Sequence, residues 1–239
     1  MQRGYFCLMP VFLLDTSSVE FPPVELARAD GLLAVGGDLR AERLLRAYKH
    51  GIFPWYNEGE PILWWSPDPR LVLFPSKLHV SRRLARVIRQ RRFDVTCNLE
   101  FRKVMELCGL VRKERGEGTW INPQMLDAYC RLHDLGYGIS VESWYQGELV
   151  GGLYGILFGS VFFGESMFAI KKEASKVAFV HMVKAFCQRG LRLVDCQVET
   201  GHLKRFGAQL IPRSLFNQLL DKWTRESIRK VSPGPLPID

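Results

Sequence analysis

GISVESWYQGELVGGLYGILFGSVFFGESMF (138–168) is the stretch that decides the fold. Apolar residues recur at every second position, and turn residues break the pattern at Gln146-Gly147 and again near Gly159. Side chains alternate between the two faces of a strand, so this pattern predicts strands at 138–145, 148–157 and 160–168. The two-residue break at Gln146-Gly147 predicts a tight hairpin. The uncharged run Leu149–Gly164 is shorter than the ~20 residues a membrane span needs. Its glycines 151, 155 and 159 therefore read as part of a buried hairpin rather than a membrane helix. A helical pattern then runs from Glu173 to Arg189, stops at Gly190, and gives way to a strand, LRLVDCQV (191–198). A strand meander, a crossover helix and a further strand together predict a mixed α/β (α+β) sheet.

Upstream of this sheet the elements are shorter. Asp38 is expected to cap a helix with Leu44, Leu45 and Tyr48 on its apolar side, ending at Gly51. From Gly51 to Pro75, prolines 54, 61, 67, 69 and 75 preclude a long helix. A domain boundary is expected near Arg70, giving a small domain at 1–70 and a larger one at 71–239. Val80, Leu84, Val87 and Ile88 share one helical face. A second helix is expected from Asn98, burying Phe101, Val104, Met105 and Cys108. A third should start at Asn122-Pro123, with Asn as cap and Pro in the first turn, and turn Leu126 and Tyr129 inward. The last helix is expected at about 214–229, followed by a loose tail, SPGPLPID.

The 239 residues include 47% hydrophobic and 24% charged, which excludes a largely disordered or collagen-like chain. Lys and Arg exceed Asp and Glu by 33 to 25, a net charge of +8 that favours a polyanionic partner. The six cysteines (7, 97, 108, 130, 187 and 196) form no C-x-x-C pair, and the five histidines add no ligand cluster. No metal site is expected; the cysteines read as reduced and the setting as cytoplasmic, since a chain this long buries a core without disulfides. The N-terminal stretch MQRGYFCLMPVFLLD has signal-peptide character, but Pro10 interrupts it and no A-x-A site follows. No phosphate-binding or dinucleotide-binding glycine loop is present, nor a G-x-S-x-G elbow.

Three features carry chemistry. Asp195 and Gln197 project from one side of the apolar strand 191–198, with Cα atoms about 6.6 Å apart. They either tie the strand to a loop or form a polar site, because burying them without partners is costly. Glu165 alternates with Val161, Phe163 and Met167 onto one face, where it binds a cation or caps backbone. Two such acids inside a basic protein would suit a positively charged amine. Arg82, Arg83, Arg86 and Arg89 line a helix with no acid between Lys77 and Asp94. Like charges at that spacing oppose each other, and a polyanion or plain solvation explains them. Trp55, Trp64, Trp65 and Trp120 fall in irregular segments, where aromatics often line pockets.

The segments GLLAVGGDL (31–39), YKHGIFPWY (48–56), PILWWSPDPR (61–70), GTWI (118–121), ELVGGLYG (148–155), FFGESMF (162–168), ASK (174–176) and VDCQV (194–198) resemble, in order, those of the bacterial leucyl/phenylalanyl-tRNA–protein transferases. The resemblance covers about residues 24–213; residues 1–8 fall outside it, and Met9 is a second candidate start. It implies transfer of Leu or Phe, less readily Met, from aminoacyl-tRNA to proteins with N-terminal Arg or Lys, marking them for N-end-rule degradation. It also implies a larger domain similar to the acetyl-CoA-dependent N-acyltransferase fold and a small N-terminal α/β domain. By resemblance Asp195 and Gln197 are the catalytic pair and Glu165 the acid near the acceptor amine. Trp55, Trp120, Leu153, Gly164, Met182 and Phe186 fall at positions around the pocket for the donated side chain. Leu153 and Met182 stand where the family pattern has Met and Phe, and both stay apolar. A monomer without cofactor, metal or membrane is expected.

An aminoacyl ester is already activated, so amine attack needs placement and proton handling above all. On this reading Asp195 attracts the acceptor amine and orients Gln197, which hydrogen-bonds the attacking nitrogen or the developing oxyanion. Arg82, Arg83, Arg86 and Arg89 hold tRNA phosphates. The rivals are an acyl-CoA enzyme, which would want a glycine turn that FAIKKE (168–173) lacks, and a non-catalytic RNA-binding module.

Overall fold

A computed structural model describes residues 11–116, 118–226, 228–229 and 231–237. Two mixed sheets organise the chain. The smaller contains β1 (Phe12–Leu14), β2 (Leu32–Gly36), β3 (Phe53–Pro54) and β4 (Leu63–Trp65) in the order β1-β2-β4-β3, with α1 (Ala41–Lys49) between β2 and β3. The larger is eight-stranded. It takes in β5 (Arg70–Leu73), β6 (Asp94–Cys97), β7 (Gly138–Tyr145), β8 (Glu148–Phe158), β9 (Val161–Ala169), β10 (Leu193–Gln197), β11 (Gln209–Ile211) and β12 (Gly234–Pro235). Their spatial order is β11-β5-β10-β9-β8-β7-β6-β12. The helices are α2 (Arg82–Arg89), α3 (Phe101–Glu114), α4 (Pro123–Asp134), α5 (Ala174–Cys187), α6 (Gly201–Lys204) and α7 (Arg213–Trp223).

The central meander follows from the sequence pattern. Gln146 and Gly147 both have positive φ, 54° and 81°, the geometry of a tight hairpin turn whose twist matches its strands. The segment α5 crosses over between β9 and β10, which pair in parallel. One face of the large sheet packs on α3 and α4 and continues into the small sheet, burying Tyr48, Tyr129, Tyr154 and Phe163. The other face packs on α5, against which α2 lies, and buries Leu153, Phe162, Met182 and Phe186. Asn122 caps α4 by accepting from the Met125 amide at 2.9 Å, with Pro123 in the first turn.

Several expectations are corrected. The helix expected from Asn98 begins at Phe101, because Asp94–Cys97 is a strand and Asn98, at φ 56°, extends its link to β7 by bonding both ways with the Ser140 backbone. Arg40, not Asp38, is the N-cap residue of α1; the Asp38 carboxylate instead pairs with Arg40 and Arg43. The last helix stops at Trp223, whose carbonyl accepts from the Ser160 amide. Over its described residues the tail is not loose: Val231 and Leu236 are buried, and β12 pairs with β6, covering what would be an open sheet edge. Trp64 lies on β4 in the core, not in a pocket. Among the described residues five cysteines are free and no helix is long and apolar enough to cross a membrane; Cys7 and the candidate start Met9 lie outside the described residues.

Strict alternation fails once in β9, and this matters for the site. Tyr154 pairs with Ser166 but Gly155 pairs with Gly164, so Glu165 is the extra residue of a bulge. Met167 therefore packs on the opposite face from Val161 and Phe163, instead of sharing theirs. Gly155 permits this bulge, because a Cβ there would sit 2.1 Å from the Phe163 carbonyl oxygen. Gly155→Ala should destabilise the protein by about 2–3 kcal/mol through forced backbone shifts. That corresponds to a fall of roughly 4–12 °C in a thermal melt. A melting temperature within ~1 °C of wild type would show that the bulge tolerates a side chain.

Candidate active site

A cavity of about 410 Å³ opens where β8, β9 and β10 meet the loops after β3 and α3. Of the residues expected at a site, Trp55, Trp120, Leu153, Gly164, Glu165, Asp195 and Gln197 line it. Trp55 is 42% exposed and stacks edge-on against Trp120, with ring centroids 6.1 Å apart. The Arg112 guanidinium lies 4.6 Å over the Trp120 ring. Phe162, Phe179 and Met167 add apolar wall. Met182 and Phe186 do not line the cavity; both are fully buried, and Phe186 packs edge-on behind Phe162 at 6.2 Å.

The polar floor is a chain of bonds reaching from β5 to α1 and α4. Arg70 Nε and Nη2 donate to the two Asp195 carboxylate oxygens at 2.8 and 2.7 Å. Arg70 also donates to the Gly51 carbonyl at 3.1 Å and lies between the rings of Phe53 and Phe216. Both partners are essentially inaccessible, so Asp195 meets a cation of the protein itself. The expectation that Asp195 draws in the acceptor amine is therefore corrected: that carboxylate is already neutralised and fully ligated on one edge. Asp195 Oδ1 accepts in addition from the Gln197 backbone amide at 2.9 Å. This bond holds Gln197 at φ 60°, a left-handed conformation uncommon for a residue with a side chain, where the pairing register with β5 also shifts.

Gln197 Nε2 donates to Glu165 Oε1 at 2.9 Å. Tyr48 Oη donates to the same oxygen at 2.9 Å, and Tyr129 Oη donates to Oε2 at 3.1 Å. The two hydroxyls also contact each other. Burial pushes the Glu165 carboxyl up to about 7, against the pull of the Tyr48 and Tyr129 hydroxyls. Burial, and then the Glu165 charge, push the Tyr48, Tyr129 and Tyr154 hydroxyls well above their usual range.

Arg82, Arg83, Arg86 and Arg89 are all exposed on α2 and none lines the cavity. Glu173, at the start of α5 and far from 77–94 in sequence, lies 3.6 Å from Arg83 and offsets part of their charge. Among the described residues no three His, Cys, Asp or Glu side chains cluster as a metal ion would need. Arg70, Tyr48 and Tyr129 were not singled out as site residues by the sequence reading. A signal existed only for Arg70, a lone charge opening the apolar strand RLVL (70–73).

A family described as Leucyl/phenylalanyl-tRNA protein transferase matches residues 72–221, and the N-terminal domain of the same family matches 37–68. The protein so named from Syntrophobacter fumaroxidans is 59% identical over 212 residues, which is 89% of this chain and 90% of that protein. Its counterpart from Myxococcus xanthus is 52% identical over 223 residues, 93% of this chain and 95% of that one. Among solved structures, a GCN5-related N-acetyltransferase from Kribbella flavida superposes with a TM-score of 0.36 at 13% identity, covering 75% of this chain and 63% of that chain. A likeness that low carries no weight for the reaction.

Removing one member of a buried ion pair leaves the other charge uncompensated, which costs about 3–5 kcal/mol. Arg70→Met should lower the unfolding free energy by that amount in urea titrations. The double variant Arg70→Met/Asp195→Leu should recover most of it. If Arg70→Met alone were as stable as wild type, the pair would not be structural.

Proposed function

Since the chain belongs to the leucyl/phenylalanyl-tRNA–protein transferase family and is thus an aminoacyltransferase, we propose that it moves Leu or Phe, and less readily Met, from aminoacyl-tRNA onto proteins that begin with Arg or Lys. Such a product marks the protein for N-end-rule degradation in the cytoplasm. The same reading takes the chain as a monomer without a cofactor. It divides the chain into a small domain at 1–70 and a larger one at 71–239, in keeping with the change of sheet between Trp65 and Arg70.

The observation that carries this reading is an apolar cavity with a single acid, Glu165, that has no cation bonded to it among the described residues. The apolar wall of Leu153, Phe162, Met167 and Phe179 suits an aliphatic or aromatic donor side chain and excludes water from the ester. An acceptor's cationic end is drawn to the acid. Gln197 gives an Nε2 hydrogen to Glu165, which turns its carbonyl oxygen to the remaining side as an acceptor for an N–H of the attacking amine. Asp195 acts one step back, fixing the Gln197 backbone while Arg70 fixes Asp195. Met182 and Phe186 support the cavity wall from behind through Phe162. The exposed arginines of α2 hold phosphates of the tRNA body, so donor choice comes from the cavity and not from base reading.

Incubation with radiolabelled Leu-tRNA and a peptide beginning with Arg should place label on the peptide, whereas labelled acetyl-CoA should give none. No label from Leu-tRNA would overturn the reading. Replacing Arg82, Arg86 and Arg89 together by Gln should weaken binding of all tRNAs and reduce the slope of log K against log salt by about 2–3. An unchanged slope would move the tRNA elsewhere. Asp195→Ala should reduce turnover strongly with tRNA affinity intact, and near-normal turnover would remove Asp195 from the machinery.

A further inference from the structure

The reaction begins with an acceptor chain end that is mostly an ammonium at neutral pH, since an α-amino group titrates near ~7.7–8. Before it attacks, that nitrogen must lose a proton, and some group must take it. Asp195 is occupied by Arg70 on both oxygens, and a carboxamide such as Gln197 is not a base. Three oxygen-bearing side chains beside Gln197 are arranged differently. Tyr48 Oη, Tyr129 Oη and the Glu165 carboxylate form a closed triangle of three O···O contacts. Two hydroxyl protons fill only two of those contacts when Glu165 is ionised. A third proton, placed on Glu165, fills all three. Each carboxylate oxygen accepts about two hydrogen bonds, and among the described residues Oε2 has one donor, Tyr129, against two on Oε1.

We propose that Glu165 is the group that takes the acceptor's proton, with Tyr48 and Tyr129 as positioning residues that make the protonated cluster a completed ring. This rests on the aminoacyl-transfer reading. The step balances as follows. One ammonium proton passes to Glu165, leaving a neutral amine whose lone pair forms the C–N bond at the ester carbonyl. The C–O bond to the ribose breaks, and the second N–H proton goes to the departing ribose oxygen. Glu165 then releases its proton to solvent through the cavity, and the net yield is amide, free hydroxyl and H⁺.

The groups that face Glu165 are Tyr48 from α1, Tyr129 from α4, Tyr154 from β8, Asp195 and Gln197 from β10 and Arg70 from β5; Arg112 and Cys108 of α3 act on Tyr154. Among them burial dominates, and the carboxyl titrates at about 7. Below that pH the ring is already filled and cannot accept, so activity rises through about pH 7. Removing a hydroxyl that favours the carboxylate raises its titration point, and the rising limb moves to higher pH.

The test is the pH dependence of kcat/KM for an Arg-initial peptide at saturating Leu-tRNA. Glu165→Gln can use only acceptor that is already neutral. Its deficit should be roughly 100-fold at pH 6.5 and narrow to under ~10-fold at pH 9. Tyr129→Phe should move the midpoint of the rising limb up by about 0.5–1 in pH. A loss for Glu165→Gln that is the same factor at every pH, or an unmoved limb in Tyr129→Phe, would overturn the proposal. Infrared difference spectra give a readout free of turnover: a protonated-carboxyl band should grow as wild type is titrated down through about pH 7, and should be missing from Glu165→Gln. Absence of that band in wild type would sink the assignment even in a fully active enzyme. Wild-type protein that transfers no label at any pH would instead refute the transfer reading and the proposal with it.

Discussion

The buried pair of Arg70 and Asp195 is the contact on which the rest of the site depends. It joins β5, the first strand after the small sheet, to β10, the strand that carries Gln197. The same guanidinium reaches the Gly51 carbonyl at the end of α1 and fills the space between Phe53 and Phe216. One side chain therefore fixes the small sheet, the large sheet and α7 relative to the cavity floor. Such a pair is weak evidence for stability, because two apolar side chains often do as well. Its value here is directional: a planar fork bonded through two nitrogens leaves a carboxylate no freedom to rotate. A fixed Asp195 is what holds the Gln197 amide in a left-handed turn.

Neutralising Asp195 from within sets the electrostatics of the whole cavity. The Asp195 charge pushes the Glu165 carboxyl up, and Arg70 opposes that push. With Arg70 on Asp195, Glu165 is a lining carboxylate with no cation bonded to it among the described residues. Its hydroxyl partners stabilise the charge without cancelling it, which an ion pair would do. Burial and hydroxyl donation thus oppose each other, and the group ends near neutrality, where it can gain or lose a proton at little cost.

Alternation and turn chemistry made the meander legible before any coordinates. The β7 bounds 138–145 are those expected, and Asn122-Pro123 opens α4 as its capping chemistry requires. The features that escaped are those that need partners distant in sequence. Tyr48 and Tyr129 read as apolar-face residues of their helices, and only the fold brings their hydroxyls to Glu165. The β9 bulge breaks the two-residue period at Glu165, so counting by twos put Met167 on the wrong face. The tail looked loose because Ser, Pro and Gly suggest a coil; an open edge on β6 decided otherwise. Asp195 and Gln197 were correctly placed side by side, but no pattern in VDCQV could show that Asp195 already had a cation.

On the proposed reading a chain with a net charge of +8 takes in a cationic chain end, an apparent contradiction. Distance and dielectric resolve it. The arginines of α2 stand in solvent, where their field fades over a Debye length of about 8 Å at physiological salt. That reach is enough to gather a polyanion such as tRNA, whose many phosphates sum the attraction. Glu165 acts at contact range in a poorly screened cavity, where a unit pair 4 Å apart is worth about 4 kcal/mol even at an effective dielectric of 20. A lone ammonium is therefore governed by the acid it touches and not by the distant surface. On that reading the same basic protein sorts its two substrates, the tRNA by a screened field and the chain end by an unscreened contact.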